Sequence, residues 1–242
     1  MSLSRTRQTA TKVEAKKQFL LNFFCFLSLS SLSLSLSLSL CFHSVEFFDA
    51  AVGELLQIIL QQGVLGDCSE LCGYLPTALE AQVCGLLCDV VGIDAFVKLI
   101  QASDPDPIAS CETLQQCGFN DAAAANITVL DVLPRTGAMG TKFTINLFFK
   151  VTDEVATGQL ALNILPPASS PAMAFGNANL LVNVPAGVYS LGGTLDTSMT
   201  SSMMPWTSGQ YNVIAQVCEG TCGSSWKHSK LLSQRNVAFV VQ

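Results

Sequence analysis

Apolar positions along this chain recur with a helical period up to about residue 118 and with a period of two after about residue 126. In the first region, residues 45–62 read as one strongly apolar helix carrying Phe47, Phe48, Ala51, Val52, Leu55, Leu56, Ile58, Ile59 and Leu60. Asp49 and Glu54 supply its polar side, and Gly63 breaks it. An apolar arc this wide needs cover on most sides or a lipid partner. A short helix over about 67–75 follows, stopped by Pro76. Thr77 and Glu80 then stand at capping-box spacing, with Thr77 as the cap and Glu80 reaching back. The helix they start is expected to run to about residue 102, with Leu79, Val83, Leu86, Leu87, Val90, Val91, Phe96, Val97 and Ile100 as its apolar stripe. Gly92 falls inside that stripe, where it either kinks the helix or allows close packing. Asp106-Pro107 gives a cap followed by proline at the first helical position. The last helix carries Ile108, Cys111, Leu114 and Cys117.

An Ala-rich linker at 119–125 leads into β-branched and aromatic segments separated by Gly, Pro, Asn and Ser. Strands are expected at 127–132, 142–151, 159–165, 180–184, 187–191, 210–217 and 236–241. The segment from Thr141 to Leu147 alternates as a half-buried strand should. Short strands with regular turn signals and no helical pattern indicate an antiparallel sandwich.

Six cysteines between Cys68 and Cys117 change the picture of the helical part. Two cysteines four residues apart lie on one helix face, because four residues turn about 400°. Cys68 and Cys72 on one helix, with Cys84 and Cys88 on the next, can therefore form a ladder across a hairpin: Cys72–Cys84 inside and Cys68–Cys88 outside. Cys111 and Cys117 are expected to close a short loop after the last helix. A zinc site is disfavoured because the cluster holds no histidine. Cys218 and Cys222 are expected to pin the loop after the penultimate strand. A metal site of Cys218, Cys222 and His228 would lack a fourth ligand, so no metal is expected there.

Disulfides imply an oxidising compartment, and the N-terminus agrees. Arg5, Arg7, Lys12, Lys16 and Lys17 stand against a single Glu14, and an uncharged apolar run from 19 to 42 follows. This is the anatomy of a secretory signal. Ser39-Leu40-Cys41 offers small residues for cleavage after Cys41. The alternative is an uncleaved signal anchor tethering the protein to a membrane, since about twenty apolar residues can span a bilayer. Residues 27–40 are nearly pure Ser-Leu alternation, and residues 1–44 are set aside as a leader. Asn126-Ile127-Thr128 supplies a sequon, which makes Asn126 a candidate glycosylation site in an exported protein.

The chain has 12 basic and 18 acidic residues, and the leader removes five and one of them, leaving 7 and 17 and a net charge of −10. That balance excludes nucleic-acid binding, which needs a basic footprint. It also opposes attraction to anionic membranes.

The run "CSELCGYLPTALEAQVCGLLCDVVGIDAFVKLIQASDPDPIASCETLQQC" resembles the saposin-like (saposin B-type) domain of the countin-like secreted proteins of social amoebae. It departs from the standard saposin in that residues 45–62 carry no cysteine, which favours the ladder. Cys68–Cys117 with Cys72–Cys111 remains the alternative pairing. "VLPRTGAMGTKFTINL" resembles the start of immunoglobulin-like domains. The expected fold class is α+β in two domains: a small disulfide-stapled helical saposin-like domain at 45–118, then an immunoglobulin-like antiparallel β-sandwich at 126–242.

No nucleophile elbow, phosphate loop or dinucleotide fingerprint is present, and His228 stands alone, so no enzyme and no cofactor are expected. The resemblance implies lipid binding or extracellular signalling for a secreted, extracellular or endolysosomal protein. Phe47, Phe48, Leu55, Ile59, Val90, Phe96 and Ile100 are the candidate lipid contacts, unless they fill the core. A protein or glycan partner is expected for the β region. The alternative function is a membrane-permeabilising effector. Asp49, Glu54, Asp89 and Asp94 border these apolar faces, and charge there opposes burial against lipid. Lipid association is therefore expected to strengthen in acid.

Overall fold

The computed structural model describes residues 32–62, 66–101, 106–170, 173–198 and 206–242, and residues 37–242 form one compact unit. The basic residues Arg5 to Lys17, and Gly63 with its expected break, lie outside the described residues. Helix α1 (Leu32–Gln62) begins inside the stretch set aside as leader. From Cys41 on it buries Cys41, Val45, Phe48, Val52, Leu55 and Ile59, spaced alternately four and three residues apart. That spacing keeps them on one face. Among the described residues no helix is long and apolar enough to cross a membrane.

Helix α2 (Cys68–Gly73) is capped by Asp67, which accepts from the Glu70 amide. Helix α3 (Ala78–Val91) starts at Thr77, whose hydroxyl accepts from the Glu80 amide at 3.2 Å and donates to the Glu80 carboxylate at 2.8 Å. The single long helix expected to residue 102 is broken at Gly92, which has φ +81° and ψ 157° and separates α3 from α4 (Ile93–Ile100). A side chain would find open space at Gly92, so its role is the left-handed backbone and not close packing. Helix α5 (Pro107–Thr113) is capped by Asp106, which accepts from the amides of Ile108 and Ala109.

Eight strands follow: β1 (Ala124–Leu133), β2 (Thr136–Gly137), β3 (Lys142–Asp153), β4 (Val155–Leu165), β5 (Phe175–Val184), β6 (Gly187–Asp196), β7 (Gly209–Glu219) and β8 (Lys230–Val241). They build a three-stranded sheet, β1-β3-β6, and a five-stranded sheet, β2-β8-β7-β4-β5. All pairs are antiparallel except the short β2–β8 contact. Alternate residues of both sheets meet in the interior: Ile127, Leu147, Phe149 and Val151 face Leu160, Leu181, Ala215 and Val217. Val132, Phe143 and Ile145 face Tyr211, Val213 and Phe239 further along.

The expected fold class needs correction. Strands outweigh helices among the described residues, 78 residues against 66, and three of the five helices have eight residues or fewer. Helices of six, eight and seven residues cannot enclose a core by themselves. They complete theirs on the outer face of the five-stranded sheet. Leu181 of β5 points into the sandwich, while its neighbours Leu180 and Val182 pack against the helical core. Leu180 lies opposite Gln159 and Val182 opposite Thr157 on β4. The Thr157 hydroxyl lies 3.7 Å from the Cys41 sulfur. The helices thus form a third layer on that sheet, where a free-standing saposin-like domain was expected.

Candidate functional site

The structure joins Cys68 to Cys88 and Cys72 to Cys84, forming the two rungs between α2 and α3, and joins Cys218 to Cys222 after β7. Cys117 does not pair with Cys111. It bonds to Cys41, 76 residues earlier, and Cys111 is a buried free thiol. The physical reason is the direction of the chain after α5. Gln115 turns it with φ +58°, and the Cys117 amide then donates to the Cys111 carbonyl at 3.3 Å, so Cys117 meets α1 at Cys41. Burial, with Glu112 and Asp106 nearby, pushes the Cys111 thiol far above its ordinary range. The signal in the sequence was arithmetic: seven cysteines lie from Cys41 to Cys117, so one must be unpaired within that region.

The candidate lipid contacts divide sharply. Phe47, Phe48, Leu55, Ile59, Phe96 and Ile100 are all buried, with Phe48 and Phe96 in ring contact at 6.3 Å. These six are core, because α4 and the sheet supply the cover that the wide arc of α1 requires. Val90 alone is exposed, at 57%, and it is not isolated. Leu79 at 65% and Leu86 at 60% share its face of α3, seven and four residues apart along the helix. Cys84, Leu87 and Cys88 hold the opposite, buried face. The result is an aliphatic stripe with no protein cover among the described residues, flanked by exposed Asp89 and Asp94. Asp49 and Glu54 are exposed on α1.

A second constellation lies where the helices meet the β7–β8 connection. Glu219, at the end of β7, is fully buried and accepts three backbone N–H groups: Asn120 at 2.7 Å, Ala156 at 3.1 Å and Thr157 at 3.4 Å. Burial still pushes its carboxyl up to about 7, against the pull of those donors. Glu112 of α5 accepts from the Trp226 indole at 2.6 Å, and burial raises its carboxyl despite that bond. Thr221 donates to Asp106 at 2.6 Å. His228 meets Asp121 at 2.9 Å and stacks on Phe119 with ring centres 3.5 Å apart. These side chains bind one layer to the other. The pattern of the sequence did not pair them, because the partners lie between 62 and 115 residues apart.

His228 is therefore engaged by Asp121 and Phe119, while Cys218 and Cys222 are bonded to each other. Among the described residues no group of three or more His, Cys, Asp or Glu side chains is placed to hold a metal ion. Asn126 is exposed near the start of β1, and its side-chain oxygen accepts from the Ser233 hydroxyl at 3.2 Å.

Residues 38–115 match the Countin N-terminal domain and residues 125–242 the Countin C-terminal domain. The chain belongs to the countin family. It is 39% identical to Countin-1 of Dictyostelium discoideum over 202 residues, covering 83% of this chain and 77% of that protein. It is 34% identical to Countin-3 of the same organism over 201 residues, covering 83% and 89%. Among solved structures, the alkylpurine DNA glycosylase AlkC of Pseudomonas fluorescens is similar with a TM-score of 0.42 and 14% identity, over 72% of this chain and 52% of that one. The C-terminal domain of wzt is similar with a TM-score of 0.37 and 10% identity, over 53% and 83%. Likenesses this distant carry no argument about this countin-family chain.

Proposed function

We propose that this chain is a secreted, non-enzymatic countin-family protein that binds apolar material, a lipid surface in the first place, through the aliphatic stripe of α3. The observation that carries the reading is the exposure of Leu79, Leu86 and Val90 on one helix face, opposite a face fixed by two disulfides. Covering a leucine or valine removes apolar surface worth roughly 1.5–3 kcal/mol per side chain. The disulfides pre-order the helix, which lowers the entropy lost on binding. Export is supported by the basic and apolar sequence that precedes Cys41 and by four disulfides, of which Cys41–Cys117 requires any cleavage to fall before Cys41 and not after it. The destination is extracellular or endolysosomal. The excess of acid over base favours a zwitterionic surface over an anionic one. Acid conditions strengthen the contact by reducing the net negative charge of the surface.

Flotation of the purified protein with phosphatidylcholine vesicles, run from pH 7 to pH 4, tests the proposal. Co-flotation that increases toward acid is the expected result, and absence of binding at every pH overturns it. Release of an entrapped dye from the same vesicles would favour the permeabilising alternative.

A further inference from the structure

The outer face of the three-stranded sheet carries a second exposed apolar patch, unrelated to the helices. Val129 is 42% exposed, Phe148 42% and Val188 69%. Strand register brings them together. Val129 lies opposite Phe148, and Val188 lies opposite Lys150, which is two residues from Phe148 on the same face of β3. Asn126 of the Asn-Ile-Thr sequon lies opposite Lys150 on its other side, in the same row as Val188. Its neighbours Ala125 and Ile127 lie opposite Val151 and Phe149, which point into the core, so Asn126 belongs to the outer face. Adjacent strands stand about 5 Å apart, and diagonal neighbours about 7–8 Å. Asn126 is thus within the span of the first two sugars of a glycan from Phe148 and Val188. The carboxamide is held by its oxygen through Ser233, which leaves its nitrogen as the atom to be modified. The Thr128 hydroxyl is fixed by donation to the Phe148 carbonyl at 3.1 Å.

We infer that Asn126 carries an N-linked glycan whose first sugars lie over Val129, Phe148 and Val188 and cover this patch. The inference rests on the export proposed above. The donor is a lipid-linked oligosaccharide. The Asn126 nitrogen forms a bond to the anomeric carbon and loses a proton to base. The bond from that carbon to the lipid pyrophosphate breaks, and the pyrophosphate leaves with the electron pair. The apolar C–H faces of the sugars then remove the side chains of the patch from water, while their hydroxyls remain solvated. An unmodified sheet face of this kind would remain an exposed apolar surface open to self-association.

The test uses the full chain produced in a eukaryotic secretory host. Mass spectrometry of the peptide containing Asn126, before and after glycosidase release, is expected to find a hexosamine-bearing glycan. The Asn126→Gln variant should melt about 2–4 °C lower and bind more of an environment-sensitive apolar dye. In a Phe148→Ser, Val188→Ser background the same substitution should change neither. Trimming the glycan on the folded wild-type protein to its first sugar gives the same comparison without a substitution, with only part of the loss expected. A chain in the medium that is bare at Asn126 overturns the inference and leaves export standing. An equal melting shift with and without the patch also overturns it, since the glycan would then not lie there. A chain that never reaches the medium sinks export, and the inference with it.

Discussion

From Cys41 to Cys117, three disulfides tie together helices as short as six, seven and eight residues. From Ala124 to Val241, strands of ten to twelve residues are paired along most of their length, apart from the two-residue β2. The one disulfide there, Cys218–Cys222, spans four residues and ties down only a loop. Short helices lose too much chain entropy for the few hydrogen bonds they make. Covalent ties limit the unfolded helical layer, and the outer face of the five-stranded sheet completes its core. The sandwich needs neither. The two regions should therefore part company when the ties are removed.

Reduction is the strongest way to break the comparison. On the chain-entropy estimate the Cys41–Cys117 bond, spanning 76 residues, contributes about 4–5 kcal/mol, and each rung of the ladder about 3 kcal/mol. Circular dichroism under reductant should lose most helical signal while strand signal persists to higher temperature. Simultaneous loss of both signals would show that the sandwich depends on its helical cover. Truncating Phe96, buried against Phe48, comes next, with an expected cost of about 3–5 kcal/mol in denaturant unfolding. Val90→Ala on the exposed stripe should stay within about 0.5 kcal/mol.

The junction between the regions offers a smaller, pH-dependent effect. The carboxyl of Glu219 has its ordinary value of 4.5 in the unfolded chain and is raised to about 7 in the folded one. Its protonation thus adds stability that is fully present below about pH 4.5 and is lost as pH rises through about 7, on the order of 3 kcal/mol in all. Glu112 is raised in the same direction and adds to the slope. Melting temperature should fall between pH 4.5 and pH 7.5 in the wild type, and the Glu219→Gln variant should flatten that fall. An equal slope in both would place the titration elsewhere. Thr77→Ala, which removes the cap of α3, should cost about 1 kcal/mol.

Local signals explain what could be read from the sequence. The rungs Cys68–Cys88 and Cys72–Cys84 follow from helical spacing, and the caps at Thr77 and Asp106 follow from residue type at fixed offsets. What could not be read depends on which faces meet. Periodicity shows that Phe48 and Leu86 are both apolar, but not that α4 and the sheet cover the first while nothing described covers the second. In α3 the cysteines mark the buried face, which Leu87 shares, while Leu79 and Leu86 lie on the exposed one. The same limit hid Cys41, set aside as leader although it anchors Cys117, and the contacts from Glu112 to Trp226 and from Asn120 to Glu219.

The central claim is that the α3 stripe, and not the apolar core beneath it, is the binding surface. The most direct measurement compares vesicle binding of the wild type with that of Leu79→Glu, Leu86→Glu. The paired substitution should weaken binding at least tenfold, since each leucine contributes roughly 1.5–3 kcal/mol of apolar burial. Its melting temperature should stay close to that of the wild type, because both side chains are exposed. Undiminished binding by a folded variant would contradict the account.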